Sequence, residues 1–433
     1  MSALYLYEDA KAREFEPFAL TRPVSALMAG VELIRERWER VSGTKAVGFI
    51  GPSHLAHFDE RGAPRCVGVD EMIPAGSLIA NSRFVPAIGS NVSSEGTRIQ
   101  EASAFHCGDQ ICAVRTKDAV RSSDLASGSL PLAALAHGAS SCTTTGRWLE
   151  AVWNLIGQLV PQLMEDIPQL ASTLSVEPVS DATIVGTFAV FRESGAHIEP
   201  FVVLDATAGP ILIRKGATIS SFSRIVGPCY IGPNATVVGD AIRACSIGDT
   251  CKVRGEISNS VMLGYSNKGH TGFVGHAYVG RWVNLGAGTT TSNLKNTYGS
   301  IQMWTPSGLR DTGEQFLGTM FGDHVKTGIG TMLTTGTVLG AGANIYGGRI
   351  ASKYVPPFAW GDGEPYGTYD IDKFIEVARR MTARRHVELS ELAAKQLSDA
   401  YMASRGRQTR SFEYLEVEAR ATLYFSRPEV LAC

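Results

Sequence analysis

Residues 211–237 read ILIRKGATISSFSRIVGPCYIGPNATV, and an aliphatic side chain returns at every sixth position: Ile213, Ile219, Ile225, Ile231 and Val237. Outward from this stretch the spacing slips once, then resumes at Ile247 and Val253, at Val279 and Leu285, and at Leu333, Leu339 and Ile345. Glycine often follows the aliphatic residue, as in Ile231-Gly232, Ile247-Gly248 and Leu285-Gly286. A period of six fits neither a helix, which repeats near 3.6, nor an amphipathic strand, which repeats at 2. It is the mark of a parallel β-helix, in which each hexad forms one short wall of a triangular coil. Aliphatic residues stack inward, and small residues take the corners.

The 433 residues exceed one compact core, so two or three structural units are expected. Glycine marks where they divide: residues 201–350, about a third of the chain, hold 26 of the 46 glycines. Residues 1–180 read as mixed α/β. Leu4–Tyr7 and Ala46–Ile50 have the pattern of strands, with an amphipathic helix over Val31–Val41 between them. That order predicts a parallel sheet. Trp148–Met164 reads as a second helix ending near Pro161 or soon after. Residues 181–350 form the coil, whose first thirty residues are an irregular lead-in. Residues 289–315 interrupt it without any hexad, and an excursion of that length suggests function. Residues 351–433 form a helical tail, with one long helix or a bent pair from Asp370 to about Arg405 and a short strand over Ala421–Phe425.

Composition excludes several classes. The formal net charge is −2 and no basic run has the footprint of a nucleic-acid binder. The cluster Arg379, Arg380, Arg384 and Arg385 reads as a solvated helix face. Eight cysteines without a CxxC pair resemble neither a zinc site nor a disulfide framework, and read as reduced thiols of a cytoplasmic protein. Met1–Phe18 has neither the apolar run of a signal peptide nor that of a membrane span, and Leu130–Ala136 is too short to cross a bilayer.

The densest polar constellation is Gly264-Tyr265-Ser266-Asn267-Lys268-Gly269-His270, followed by Gly275-His276 and Asn284 to Asn296. His270 stands where the hexads break, beside Gly269, so it is expected to project from a corner. An imidazole there could take the proton of an attacking amine or hydroxyl. The alternative is a corner histidine bonded to backbone. His276 and His324 have no metal-ligand partners at suitable spacing and read as coil histidines.

His270, Gly275 and Gly280, followed by Asn284-Leu285-Gly286-Ala287-Gly288-Thr289, resemble the acyltransferase half of the bacterial bifunctional enzymes that make UDP-N-acetylglucosamine. A divergent branch of sugar nucleotidyltransferases is similar over more of the chain: Leu20-Thr21-Arg22-Pro23, Ile34 to Trp38, Gly264 to Lys268, Ser292 to Asn296, Asp311-Thr312-Gly313 and Gly322 to Thr327. The resemblance implies a nucleotidyltransferase-like α/β domain, a left-handed β-helix and a homotrimer whose acyl site lies between subunits. It implies acetyl transfer from acetyl-CoA to the amine of a hexosamine 1-phosphate, coupled to uridylyl transfer from UTP with Mg2+. His270 would be the base and Asn293 would line the sugar site. Gly286, Ala287, Gly288 and Thr289, with Lys326 and Thr327, would follow the acetyl-CoA.

Softer candidates accompany these. Lys268 could bind the sugar phosphate, Tyr265 and Asn284 the sugar, and Glu256 could orient His270 or the amine. Active uridylyltransferases have a Gly-rich loop after the first strand. Here Glu8-Asp9-Ala10-Lys11-Ala12-Arg13 stands in its place without a glycine. Arg22 could replace the loop as a phosphate ligand, or form a structural ion pair. Asp9 could hold Mg2+ at the strand end, or serve as a turn residue. Two other readings therefore stay open: an acyltransferase whose N-terminal domain only binds a nucleotide or sugar phosphate, and a non-catalytic coil for assembly or sensing.

Overall fold

The computed structural model describes residues 3–90 and 103–405. The coil is built on three walls of parallel strands, and an antiparallel strand caps two of them, Val176–Glu177 at the start of one and Gly367–Thr368 at the end of another. One runs through ten strands from Val176–Glu177 to Tyr354–Val355, a second through six from Thr183–Gly186 to Phe273–Gly275, and a third from His197–Ile198 to Gly367–Thr368. We call them the docked, open and cleft walls. The hexad residues are the interior rungs. On the docked wall Ile213, Ile231, Ile247, Met262, Val279, Phe321, Leu339 and Val355 stack in register. The slip after Val237 is a pair of five-residue steps through Ile242, which continues the open-wall rung of Ile225 and Ile257.

The N-terminal unit carries a seven-stranded mixed sheet rather than a parallel one. Leu4–Tyr7 pairs in parallel with Ala46–Ile50 and Leu78–Asn81, but Gln110–Arg115 runs antiparallel to Leu78–Asn81. The first helix is Ile34–Ser42, three residues later than the hydrophobic pattern suggests. Gly30, at φ +62°, closes a tight hairpin of Met28–Ala29 with Glu32–Leu33, and the Glu36 carboxylate accepts from the Leu33 N–H to start the helix. Trp148 ends a strand, Gly146–Trp148, and the helices beyond are Asn154–Gly157 and Leu159–Ala171. Pro161 does not stop the second: it lies in the first turn, where no intrahelical N–H bond is lost.

One apolar core joins the two units. Leu212, Tyr230, Val261, Leu263, Tyr278 and Met320 on the outer face of the docked wall pack with Phe15, Phe18, Trp38 and Leu163. The Tyr278 hydroxyl donates to Met28 O at 3.0 Å and accepts from its N–H at 2.7 Å, and Phe18 meets the Tyr278 ring edge-on. The excursion after Asn293 belongs to this interface. Its hairpin, Gln302–Thr305 with Gly308–Asp311, buries Ile301 and Met303 in the same core. It therefore straps the coil to the N-terminal unit. The tail is a bent pair of helices, Ile371–Ala383 and 391–405, and Ala421–Phe425 lies outside the described residues.

Candidate functional site

His270 lies at the corner between the cleft wall strand Asn267–Lys268 and the open wall strand Phe273–Gly275. It is exposed, and its ring makes no hydrogen bond among the described residues. The corner is fixed from two sides. Gly272, at φ +127°, leaves no room for a side chain, since a Cβ there would lie 2.3 Å from Thr289 O. The Gly288 N–H donates to Thr271 O at 3.0 Å, so the Gly286–Thr289 corner is bonded directly to the His270 corner.

Lys268 is placed differently from a phosphate ligand. It takes an interior rung, stacked on Val253 where the neighbouring coils have aliphatic residues, and is 2% exposed. Its ammonium donates to Arg254 O at 2.8 Å and His270 O at 2.9 Å. Burial pushes its pKa down to about 8, against the opposing pull of Asp240. The lysine thus fastens the two corner carbonyls from inside with two of its three N–H donors. Glu256 is exposed on the open wall, in register with Phe273, one coil before the His270 corner.

The outer face of the cleft wall carries Lys252, Asn267, Asn284 and Lys326 in register. The Asn267 amide donates to Asn284 Oδ1 at 2.9 Å. These amides, Lys252, Met381, Arg384 and Arg385 line a cleft of about 280 Å3 between the coil and the end of helix Ile371–Ala383. Tyr265 and Trp282 close one side, their rings stacked at 4.4 Å. Among the described residues no carboxylate pairs with Lys252, Arg384 or Arg385. Gly269, the neighbour of His270, abuts this cleft: a Cβ there would lie 3.0 Å from Asn267 Oδ1 and 3.8 Å from Lys252 Cδ. Lys326 is half-buried beside the cleft residues and donates to His324 O at 3.2 Å, and desolvation pushes its pKa down to about 8.

Asn293 is not gathered into this cleft. Its amide meets His276 Nδ1 at 2.9 Å, and His276 Nε2 meets the Asn259 amide at 3.0 Å. The His276 ring stacks on Phe316, and burial pushes its pKa down to about 4. A neutral imidazole has one donor and one acceptor, so one of the two amides presents its oxygen. This ladder occupies the far end of the strand from His270. Thr289 and Thr327 are interior too: their hydroxyls bond each other at 2.7 Å, and Thr327 Oγ1 accepts from the Gly286 N–H. Ala287 and Gly288 stand at the outside of the corner.

In the N-terminal unit the candidate side chains are occupied. Arg83 donates to both Asp9 oxygens at 2.7 Å, and the Asn81 amide adds a third bond at 2.9 Å. Burial pushes the Asp9 carboxyl up, but the hydrogen bonds and charge of Arg83 outweigh it and hold the group below its ordinary range. Both oxygens are taken, and no cluster of three His, Cys, Asp or Glu among the described residues could share an ion with it. The residues present do not fit Mg2+ at Asp9. Arg22 is 4% exposed and pairs with Asp323 at 2.7 Å and Glu60 at 3.1 Å, the structural ion pair of the two alternatives.

Sequence reasoning missed Lys252, Trp282, Arg384 and Arg385. The arginines stood out only as a solvated face, and nothing in the helix itself says which coil wall it covers. No described helix is long and apolar enough to cross a membrane.

The chain is similar to known proteins over parts of its length. A family model described as sugar nucleotidyl transferase matches residues 4–174. The chain is 29% identical over 178 residues to the bifunctional sugar-1-phosphate nucleotidylyltransferase/acetyltransferase of Sulfurisphaera tokodaii, covering 38% of this chain and 42% of that protein. It is 32% identical over 166 residues to the bifunctional protein GlmU of Azoarcus sp. strain BH72, covering 36% and 30%. The chain thus spans less than half the length of either relative. A solved hexapeptide transferase family protein from Anaplasma phagocytophilum matches at 16% identity and a TM-score of 0.19, over 52% of this chain and 96% of that one. Both relatives are bifunctional by name, and the first combines a sugar-1-phosphate nucleotidylyltransferase with an acetyltransferase.

Proposed function

We propose that this chain transfers an acetyl group from acetyl-CoA to the amine of a hexosamine 1-phosphate at the His270 corner. The observation that carries the reading is the juxtaposition there: an exposed imidazole beside a cleft with three cations, all without a side-chain partner among the described residues. The phosphate would sit among Lys252, Arg384 and Arg385, with Asn267 and Asn284 toward the sugar. As the amine nitrogen bonds to the thioester carbonyl, His270 accepts its proton. The C–S bond then breaks, and the departing thiolate is protonated to free CoA. Backbone N–H groups of the coil would stabilise the oxyanion, and the Gly286–Thr289 corner would border the thioester. A neighbouring subunit of a trimer would complete the groove.

For the N-terminal unit, the Asp9 carboxylate, taken by Arg83, favours the acyltransferase reading over coupled uridylyl transfer from UTP. The test is thiol release from acetyl-CoA with glucosamine 1-phosphate, run beside pyrophosphate release from UTP and a sugar 1-phosphate. His270→Ala is expected to lower thiol release by about 10²–10⁴-fold while the thermal midpoint stays put, because the ring is exposed. Undiminished thiol release in His270→Ala would remove the base, and strong pyrophosphate release would restore the coupled reaction.

A further inference from the structure

Tyr265 and Trp282 also line a second cavity, of about 220 Å3, at the junction of all three parts of the chain. The N-terminal unit supplies Phe58 and Glu60, the coil Arg281 and His324, and the last helix Gln396. Its buried charges cancel. Arg22 pairs with Asp323 and Glu60, and Arg281 Nε lies 3.3 Å from Glu60 while the Arg281 backbone N–H donates to Asp323 at 2.7 Å. Two guanidiniums thus face two carboxylates, and an added full charge would find no counterion. Asp59, Arg61 and Glu388 stand at the exposed rim, where Asp59 accepts from Ser390.

Besides the Arg281 Nε, whose charge Glu60 answers, the hydrogen-bonding capacity left over is neutral. Among the described residues Gln396, 4% exposed, has no partner for its Nε2, and His324, 6% exposed, has none for its Nδ1. Burial keeps the His324 ring uncharged, with the Lys326 and Arg22 charges adding to the effect. Buried polar groups are rarely left in this condition without a ligand or water. The walls add the rings of Phe58 and Trp282. Hydroxyl groups both donate and accept, which suits an amide, an imidazole and a carboxylate together. The volume falls below the roughly 300 Å3 at which drug-sized pockets begin.

We infer that this junction binds an uncharged polyhydroxylated ligand of monosaccharide size, separately from the cationic cleft beside His270. The test is calorimetric titration of the full chain with glucose, N-acetylglucosamine and myo-inositol, with inorganic phosphate and uridine as competitors for the interpretation. At least one polyol is expected to bind saturably. Gln396→Leu replaces an unsatisfied amide by an apolar group of similar size, so its thermal midpoint should not fall while affinity drops about tenfold. Ala393→Leu, which fills the same cavity from the same helix, should also weaken binding. The inference is overturned if none of the three polyols binds, if uridine or phosphate binds there more tightly, or if both variants leave polyol binding unchanged. None of these readings depends on acyl transfer.

Discussion

Arg22 and Arg385 both lie against the coil, in opposite company. Arg22 is enclosed by Asp323, Glu60 and the Thr21 hydroxyl's own bond to Asp323, at the seam with the N-terminal unit. Arg385 stands with Arg384 and Lys252 around an open cleft, with no carboxylate partner among the described residues. A charge already answered by protein holds the fold together and has little left for a ligand. A charge left unanswered at a concave surface is electrostatic capacity waiting for an anion. The same contrast separates the occupied Asp9 from the free rim near His270.

The largest effect is expected where charge is spent. Arg22→Ala strands Asp323 and Glu60 in the seam, and should lower unfolding stability by about 3–5 kcal/mol, read as the urea midpoint. If the midpoint hardly moves, the seam is not a structural pair and Arg22 returns as a ligand candidate.

Lys268 sharpens the contrast, because it is a spent cation only two residues from His270. Its pKa of about 8 lies below the 10.5 of an ordinary lysine. Between those values the folded chain holds fewer protons than the unfolded one, so stability should rise with pH across the window. Lys326 is lowered to about 8 as well and contributes in the same sense. Lys268→Met should remove about half of their joint rise, measured as urea midpoints at several pH values between 8 and 10.5. An unchanged slope would mean that the ammonium is solvated and free to meet substrate.

These particulars also show what the sequence discloses. The coil is legible because every interior rung demands an aliphatic side chain at a fixed interval, as from Ile213 to Val237. The first helix is misread by three residues because Glu32 and Leu33 satisfy helical spacing while Gly30 turns them into a hairpin. Lys268 misleads for a related reason: a lysine at a rung position looks like a break in the pattern, yet its stem can fill the core while its ammonium bonds corner carbonyls. The His270 corner is visible from its glycines. The cleft beside it is not, because Lys252 and Arg385 are 133 positions apart and only the packing of the tail brings them together. The occupation of Asp9 by Arg83 is hidden in the same way.

The most direct measurement is the steady-state kinetics of Arg384→Gln and Arg385→Gln with phosphorylated and unphosphorylated acceptors. Each variant should raise KM for glucosamine 1-phosphate about tenfold, by loss of a charge-assisted hydrogen bond, while KM for glucosamine, kcat and the thermal midpoint stay as they are. Equal changes for both amino sugars, or none for either, would contradict the assignment of this cleft to the phosphate.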